Sequence, residues 1–216
     1  MPPKYDVITF DCYGTLIDWE SGIRDAFSTA ARADGVEIQT AEIIPAYASA
    51  EPVVEQERYL PYREVLAQSA LRAAKRLGWT PSDPTFLTRS LPSWKPFPDT
   101  NPALERLKNA GYRLGILSNV DRDLLVETRR HLSVEFDLIV TAEDVKSYKP
   151  GRPHFDAARR IIGNARWLHA AASNYHDIAP TNAMDVPNAW INRKNEKGER
   201  PTYEFRDLAG LANAMC

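Results

Sequence analysis

Asp11 stands directly behind an apolar, β-branched run in DVITFDCYGTL (6–16). A carboxylate at the exit of a buried strand can attack an electrophile and carry a covalent ester or acyl-phosphate. It can equally open an Asx turn, bonding to the backbone two residues on. Gly14 lets the chain turn tightly beside it, and Thr15 brings a hydroxyl close. Three more polar groups recur in the same kind of place. Ser118–Asn119 follow RLGIL (113–117), Lys149 stands in SYKPGRP (147–153), and Asp177 ends ASNYHD (172–177). Taken singly, Ser118–Asn119 read as a helix N-cap, Lys149 as a solvated lysine fixed in a loop by Pro150, and Asp177 as a first-turn helix aspartate. Brought to one place, they make a pocket of two carboxylates, one ammonium and several hydroxyl and amide groups. The lysine there would hold both carboxylates ionised.

The elements that would bring them together are strands at Asp6–Phe10, Arg113–Leu117, Asp137–Thr141, Trp167–Ala172 and Ala189–Asn192. Helical patterns fill the later gaps: one capped by Asn101 and ending before Gly111, one over Asp123–Leu132, one over Pro153–Ile162. This alternation predicts an α/β fold, a doubly wound parallel sheet with a Rossmann-like core. In such a sheet the loops after the strands gather at one edge, where ligands bind. Residues 18–90 break the alternation with successive helical patterns at Ser21–Asp34, Ala41–Glu51 and Tyr62–Leu77, and Pro45 and Pro52 interrupt the middle stretch. The expected organisation is a catalytic core of residues 1–17 and 91–216 and a helical cap of residues 18–90. The proline-rich LPSWKPFPD (91–99) serves as a stiff hinge. Trp167 and Trp190 are expected in the core, and Trp19 and Trp94, beside the two hinges, between cap and sheet.

The 216 residues are 44% hydrophobic and 26% charged with a net charge of −2, ordinary values for a soluble globular chain. They make no electrostatic case for nucleic acid or an anionic membrane. No apolar run reaches the length of a membrane span, and the N-terminus enters a strand without a signal-peptide core. Two cysteines, Cys12 and Cys216, make no disulfide framework or metal site, so a reducing cytoplasm is expected. Lys194–Arg200 (KNEKGER) reads as a solvated loop.

The motif FDCYGTL, with the order strand-Asp, helical insertion, strand-Ser, Lys-Pro and strand-Asp, resembles the haloacid dehalogenase-like hydrolase superfamily. Within it the chain is similar to the L-2-haloacid dehalogenase branch. The superfamily's phosphatases carry a second aspartate, a general acid, where Tyr13 stands. They also carry a metal-binding Gly-Asp pattern where this chain has Ala172. The resemblance therefore implies no functional metal and no cofactor, since magnesium demands hard oxygen ligands. It implies that Asp11 attacks C2 of a small 2-haloacid, displaces halide with inversion, and forms an ester that water opens to a 2-hydroxy acid.

In that scheme Thr15 orients Asp11, Lys149 holds it ionised, Ser118 binds the substrate carboxylate and Asn119 contacts the halide side. Asn174 and Asp177 position and activate water. Cys12 and Tyr13 flank the nucleophile and join the substrate-contacting set, although the Cys12 side chain should point away from Asp11 into the core. The dehalogenases hold halide with a cap arginine, and none falls near Ala48. Arg58 is the candidate, with Arg63 beside it, although both also read as solvated charges. The chain further departs at Ala172 (a serine in the family), Phe155 (a tyrosine) and His176 (an aromatic residue), the last read as a packing histidine or a proton shuttle. Three other readings stay open: an atypical phosphatase, a hydrolase of another activated carbon centre such as a small cyclic amino acid, and a degenerate binding member. The resemblance also implies a homodimer.

Overall fold

The structure, a computed structural model, describes residues 3–216 apart from the side chains of residues 56 and 57. Six parallel strands form one sheet: β1 (Val7–Phe10), β2 (Arg113–Ser118), β3 (Leu138–Thr141), β4 (Trp167–Ala171), β5 (Asn188–Ile191) and β6 (Tyr203–Phe205). Their order is β3-β2-β1-β4-β5-β6. The five longer strands are short apolar runs that bury nearly every residue, as strands covered on both faces must. Successive residues feed opposite faces. Val7 and Leu117 enter a cluster with Phe155 and Trp167, whereas Ile8 and Ile116 enter the larger cluster on the other face. The doubly wound α/β reading holds. Chain order reverses at β1, between β2 and β4, so the crevice beyond its carboxyl end is the expected ligand position.

Four α-helices follow β1 within residues 18–90: α1 (Trp19–Ala33), α2 (Thr40–Glu57), α3 (Tyr62–Arg76) and α4 (Phe86–Ser90). The outgoing and returning segments lie side by side. Asp18 N–H donates to Lys95 C=O at 2.9 Å and Phe97 N–H to Leu16 C=O at 3.1 Å. Trp94 is buried there and packs on Gly22, where a Cβ would meet its ring at 2.4 Å. The remaining helices are α5 (Thr100–Asn109), α6 (Arg122–Arg129), α7 (Ala142–Val145), α8 (Pro153–Ile162), α9 (Ala179–Ala183) and α10 (Leu208–Met215). Trp167 and Trp190 are buried strand residues, as expected.

Several expectations are corrected. α2 runs on through Pro45 and Pro52 to Glu57. Each proline costs the helix a hydrogen bond, on the order of 3 kcal/mol, and burial of Ile43, Tyr47, Ala50 and Val54 against its neighbours outweighs that. Asn101 does not cap α5. The helix begins at Thr100, with Asp99 in the N-cap position, and the Asn101 amide instead bridges to His131 C=O and Ser133 N–H. The strand expected from Asp137 begins at Leu138, because the Asp137 carboxylate accepts from Leu114 N–H and Lys108. β6 was not expected. It is only three residues long and half-exposed at the sheet edge, too short to show a periodicity.

Candidate active site

β1 is hydrogen-bonded one residue past its end, Asp11 N–H donating to Ala170 C=O at 3.1 Å. The chain then folds back in a tight loop. Leu16 and Ile17 N–H both donate to Cys12 C=O, and Gly14 takes φ +96°, a conformation that favours glycine. That loop returns Thr15 to Asp11. Its hydroxyl donates to Asp11 Oδ2 at 2.8 Å and accepts Ala172 N–H at 2.8 Å, tying the β1 loop to the end of β4.

Lys149 reaches in from the loop before α8 and is 1% exposed. Its Nζ donates to Asp11 Oδ1 at 2.8 Å, Asp177 Oδ1 at 2.6 Å and Leu117 C=O at 2.9 Å. An ammonium has three protons, and all three are spent. Burial works against its charge, but the two carboxylates outweigh burial and raise its pKa. Asp177 is likewise penalised by burial, yet Lys149 and His169 hold its pKa well below the usual carboxylate range. Its Oδ2 is buried and has no hydrogen-bond partner among the described residues. Asp177 is placed by a wide single turn, Asn174–Ile178, of π-helical form, a local irregularity frequent at functional sites.

A chain of polar groups supports Asp177 from inside the sheet. Trp167 Nε1 donates to Thr9 Oγ1 at 2.8 Å, Thr9 Oγ1 lies 2.8 Å from His169 Nδ1, and His169 Nε2 lies 3.0 Å from Asp177 Oδ1. With the Thr9 hydroxyl donating to Nδ1, the His169 Nε2–H donates to Asp177. Sequence reasoning missed this chain. Its signal was two polar residues, Thr9 and His169, in otherwise apolar strands at paired register.

Around Asp11 lies a cavity of about 290 Å³. Asp11, 8% exposed, lines it together with Tyr13, Ser118, Asn119, Lys149 and Asp177. Ser118 Oγ is buried without a partner among the described residues. The Tyr13 ring lines the cavity, edge-on to Trp94, while its hydroxyl is committed elsewhere. Thr128 donates to Leu124 C=O, so Tyr13 O–H donates to Thr128 Oγ1 at 2.8 Å. Burial raises that phenol well above its ordinary value. A hydroxyl so placed is no substitute for a general acid at the leaving group.

Four expected site residues are placed differently. Cys12 is fully buried in the core and does not line the cavity, because alternation turns its side chain away from Asp11. Asn119 reaches the cavity, but its amide is turned to the Lys149 backbone: Lys149 N–H donates to Oδ1 at 2.7 Å and Nδ2 donates to Lys149 C=O. It positions the lysine loop. Asn174 faces outward, pairing with Glu199 N–H and C=O, because the 193–200 loop packs against it. Arg58 is exposed in a neighbouring groove with Tyr59 and Lys146 and does not line the cavity. Arg63 is also outside, engaging Asp121 and Asp123.

His176 does line the cavity, with Nδ1 3.1 Å from Ser173 Oγ, and burial lowers its pKa. Phe155 packs edge-on to His169 at 5.5 Å between centroids. From the helical side come Ala48, Glu51, Glu55 and Tyr62, of which neither glutamate was expected.

The metal set of the related phosphatases does not fit these residues. Asp11 and Asp177 each give Oδ1 to Lys149, Ala172 offers no side-chain oxygen, and no group of three or more His, Cys, Asp or Glu with ligand geometry occurs among the described residues. No described helix is long and apolar enough to cross a membrane.

The haloacid dehalogenase-like hydrolase family profile matches residues 5–175. The chain belongs to this family. It is 28% identical over 228 residues to an (S)-2-haloacid dehalogenase of Pseudomonas putida, covering 95% of this chain and 94% of that one. A haloacetate dehalogenase of Moraxella sp. is 26% identical over 224 residues, covering 99% of each. The L-2-haloacid dehalogenase of Xanthobacter autotrophicus, solved with chloropropionic acid covalently bound, superposes with a TM-score of 0.83 over 97% of both chains at 18% identity, a likeness of fold.

Proposed function

We propose that this hydrolase cleaves the carbon–halogen bond of a small 2-haloacid through an aspartyl ester on Asp11. One observation carries the reading: a cavity-lining nucleophilic carboxylate, oriented by Thr15 and Lys149, with no acid at Tyr13 and no metal ligand at Ala172. Halide leaves without protonation, so displacement at carbon needs neither that acid nor that metal. The similarity to named dehalogenases over nearly the whole chain supports the same chemistry.

An Asp11 oxygen forms a bond to C2 opposite the halogen, and the carbon–halogen electron pair departs with halide. Water then adds to the Asp11 Cγ. The unpartnered Asp177 Oδ2 is the acceptor left to take the water proton. Collapse breaks the ester, releases the 2-hydroxy acid and leaves one water oxygen in Asp11. Ser118 Oγ is the free donor for the substrate carboxylate. No cofactor enters this scheme. The α1–α4 helices (18–90) act as the cap over a core of residues 1–17 and 91–216.

Single turnover with 2-chloropropionate in heavy-oxygen water should place label in Asp11, read by peptide mass spectrometry. Asp11→Asn should abolish halide release. Label entering only the product, or magnesium-dependent cleavage of an aryl phosphate in place of halide release, would overturn the reading.

A further inference from the structure

The wall facing Asp11 is acidic. Tyr47, Glu51 and Glu55 fall at i, i+4 and i+8 on α2, one stripe of the helix. Glu51 Oε1 accepts the hydroxyls of Tyr47 at 2.8 Å and Tyr62 at 3.0 Å, which fixes that carboxyl at the cavity wall. Glu55 lines the same cavity with no hydrogen bond or ion pair to a described residue. Across from them the lysine has no proton left, and Ser118 Oγ is buried, lining the cavity and unpartnered. The lining therefore holds four carboxyl groups, Asp11, Glu51, Glu55 and Asp177, against one fully committed lysine cation. Neither Arg58 nor Arg63 reaches it.

We propose that the substrate is a small zwitterion, a carboxylic acid that also carries an ammonium group, with Glu51 and Glu55 holding the ammonium on the cap side and Ser118 the carboxylate on the core side. A plain 2-haloacid brings one negative charge to a lining that has no uncommitted cation among the described residues. A zwitterion brings the missing counter-charge with it, and an ammonium offers three donors to a wall of acceptors. Burial raises both glutamate pKa values, Glu55 to about 9, with the neighbouring Glu51 adding to the effect and Lys149 opposing it. Glu55 also lines the adjoining groove, whose other titratable groups are Arg58, Tyr59, Lys146, Tyr148, Tyr175 and His176 beside Lys149, and it forms no ion pair with any of these cations.

Binding rests on this geometry alone, whereas turnover rests also on the aspartyl-ester reading. In turnover the ammonium is a handle. Asp11 bonds to the halogen-bearing carbon, halide takes the bonding pair, and water returns Asp11 with net release of one proton.

Propionate and 3-aminopropionate differ only in the ammonium. Calorimetric titration of the whole protein at pH 7.5 should give at least ~10-fold tighter binding of 3-aminopropionate, with proton release seen as a buffer-dependent heat, since a bound cation lowers the pKa of a neighbouring carboxyl. Glu51→Gln with Glu55→Gln, checked for folding by thermal unfolding, should bring the two ligands to within ~2-fold. Should the double variant not fold, Glu55→Gln alone should narrow the ratio. Equal binding by the wild type, tighter binding of propionate, or a preference that survives these variants would overturn the proposal. Halide release from 2-chloropropionate and 3-amino-2-chloropropionate separates the two readings. Preserved ammonium preference with no halide from either compound overturns the ester chemistry and leaves the zwitterion site supported.

Discussion

The two walls of the cavity are built on opposite plans. On the core wall, Lys149 bridges Asp11 and Asp177 with two directed hydrogen bonds and gives its third to Leu117 C=O, and Asn119, His169 and Thr15 hold those groups in place. On the cap wall, Glu51 and Glu55 face the same space, one braced by two phenols and the other with no hydrogen bond or ion pair to a described residue. A finished ion network reads as catalytic apparatus whose geometry must not change. An unpaired acidic wall reads as a surface waiting for its counter-charge. Family resemblance speaks to the first wall and says little about the second.

The largest way to break this contrast is to remove Lys149, the cation of the core wall. Lys149→Met leaves two buried carboxylates facing each other, and one of them must take up a proton. Halide release should fall by ~10³-fold or more, and stability by about 3–5 kcal/mol in chemical denaturation. An unchanged rate would mean that Asp11 needs no partner to stay ionised.

The joint between the walls comes next. Buried Asp121, between β2 and α6, accepts Tyr62 N–H at 2.6 Å and Arg63 N–H and Nε–H at 3.0 Å, so a core carboxylate caps the start of α3. Asp121→Ala should cost about 1–3 kcal/mol. It should raise KM more than it lowers kcat, because it loosens the cap wall and leaves the Asp11 network intact.

The walls should also respond to pH with opposite signs. Asp177, with its folded pKa lowered, stabilises the fold above its unfolded value of roughly 3.9, and that contribution is lost as pH falls below it. Glu55, with its folded pKa raised to about 9, holds a proton that the unfolded chain gives up near pH 4.3. Its contribution is complete below about pH 4 and drains away as pH rises toward 9. Unfolding measured at pH 5 and pH 9 should show wild type losing stability across the interval, and Glu55→Gln should flatten that slope.

The smallest effect sharpens the core wall. Tyr13→Phe removes a hydroxyl that donates only to Thr128, so it should cost about 1 kcal/mol and change halide release by less than ~3-fold. A large drop in rate with little loss of stability would return Tyr13 to the catalytic set.

Most of the core was legible because each element carried its own signal. Buried parallel strands are short β-branched runs, and α8 announces itself with Pro153 at its start and Gly163 after its end. Asp11, Ser118, Lys149 and Asp177 were legible because each follows a strand in a sheet whose topology gathers such loops. The cap was harder. Pro45 and Pro52 argued for breaks in α2, and with the helix ended at Glu51 the Tyr47–Glu51–Glu55 stripe could not be seen as one surface. Asn174 and Arg58 were placed in the site by position in the chain, and local hydrogen bonds and exposure took both elsewhere.

By itself the sequence determined five of the sheet's strands, the carboxylate at its switch point, and the absence of an acid at Tyr13 and of a metal ligand at Ala172. These depend on residue identity at the end of a strand, where the direction of the chain is already settled. Tertiary structure decided which polar groups were spent and which were free. That depends on which partners lie within hydrogen-bond reach across separate elements. Lys149 is exhausted, Ser118 and Asp177 Oδ2 are not, and two glutamates from a helix distant in sequence face them. Hydrogen-bond saturation is a property of the assembled cavity, and no single stretch of chain encodes it.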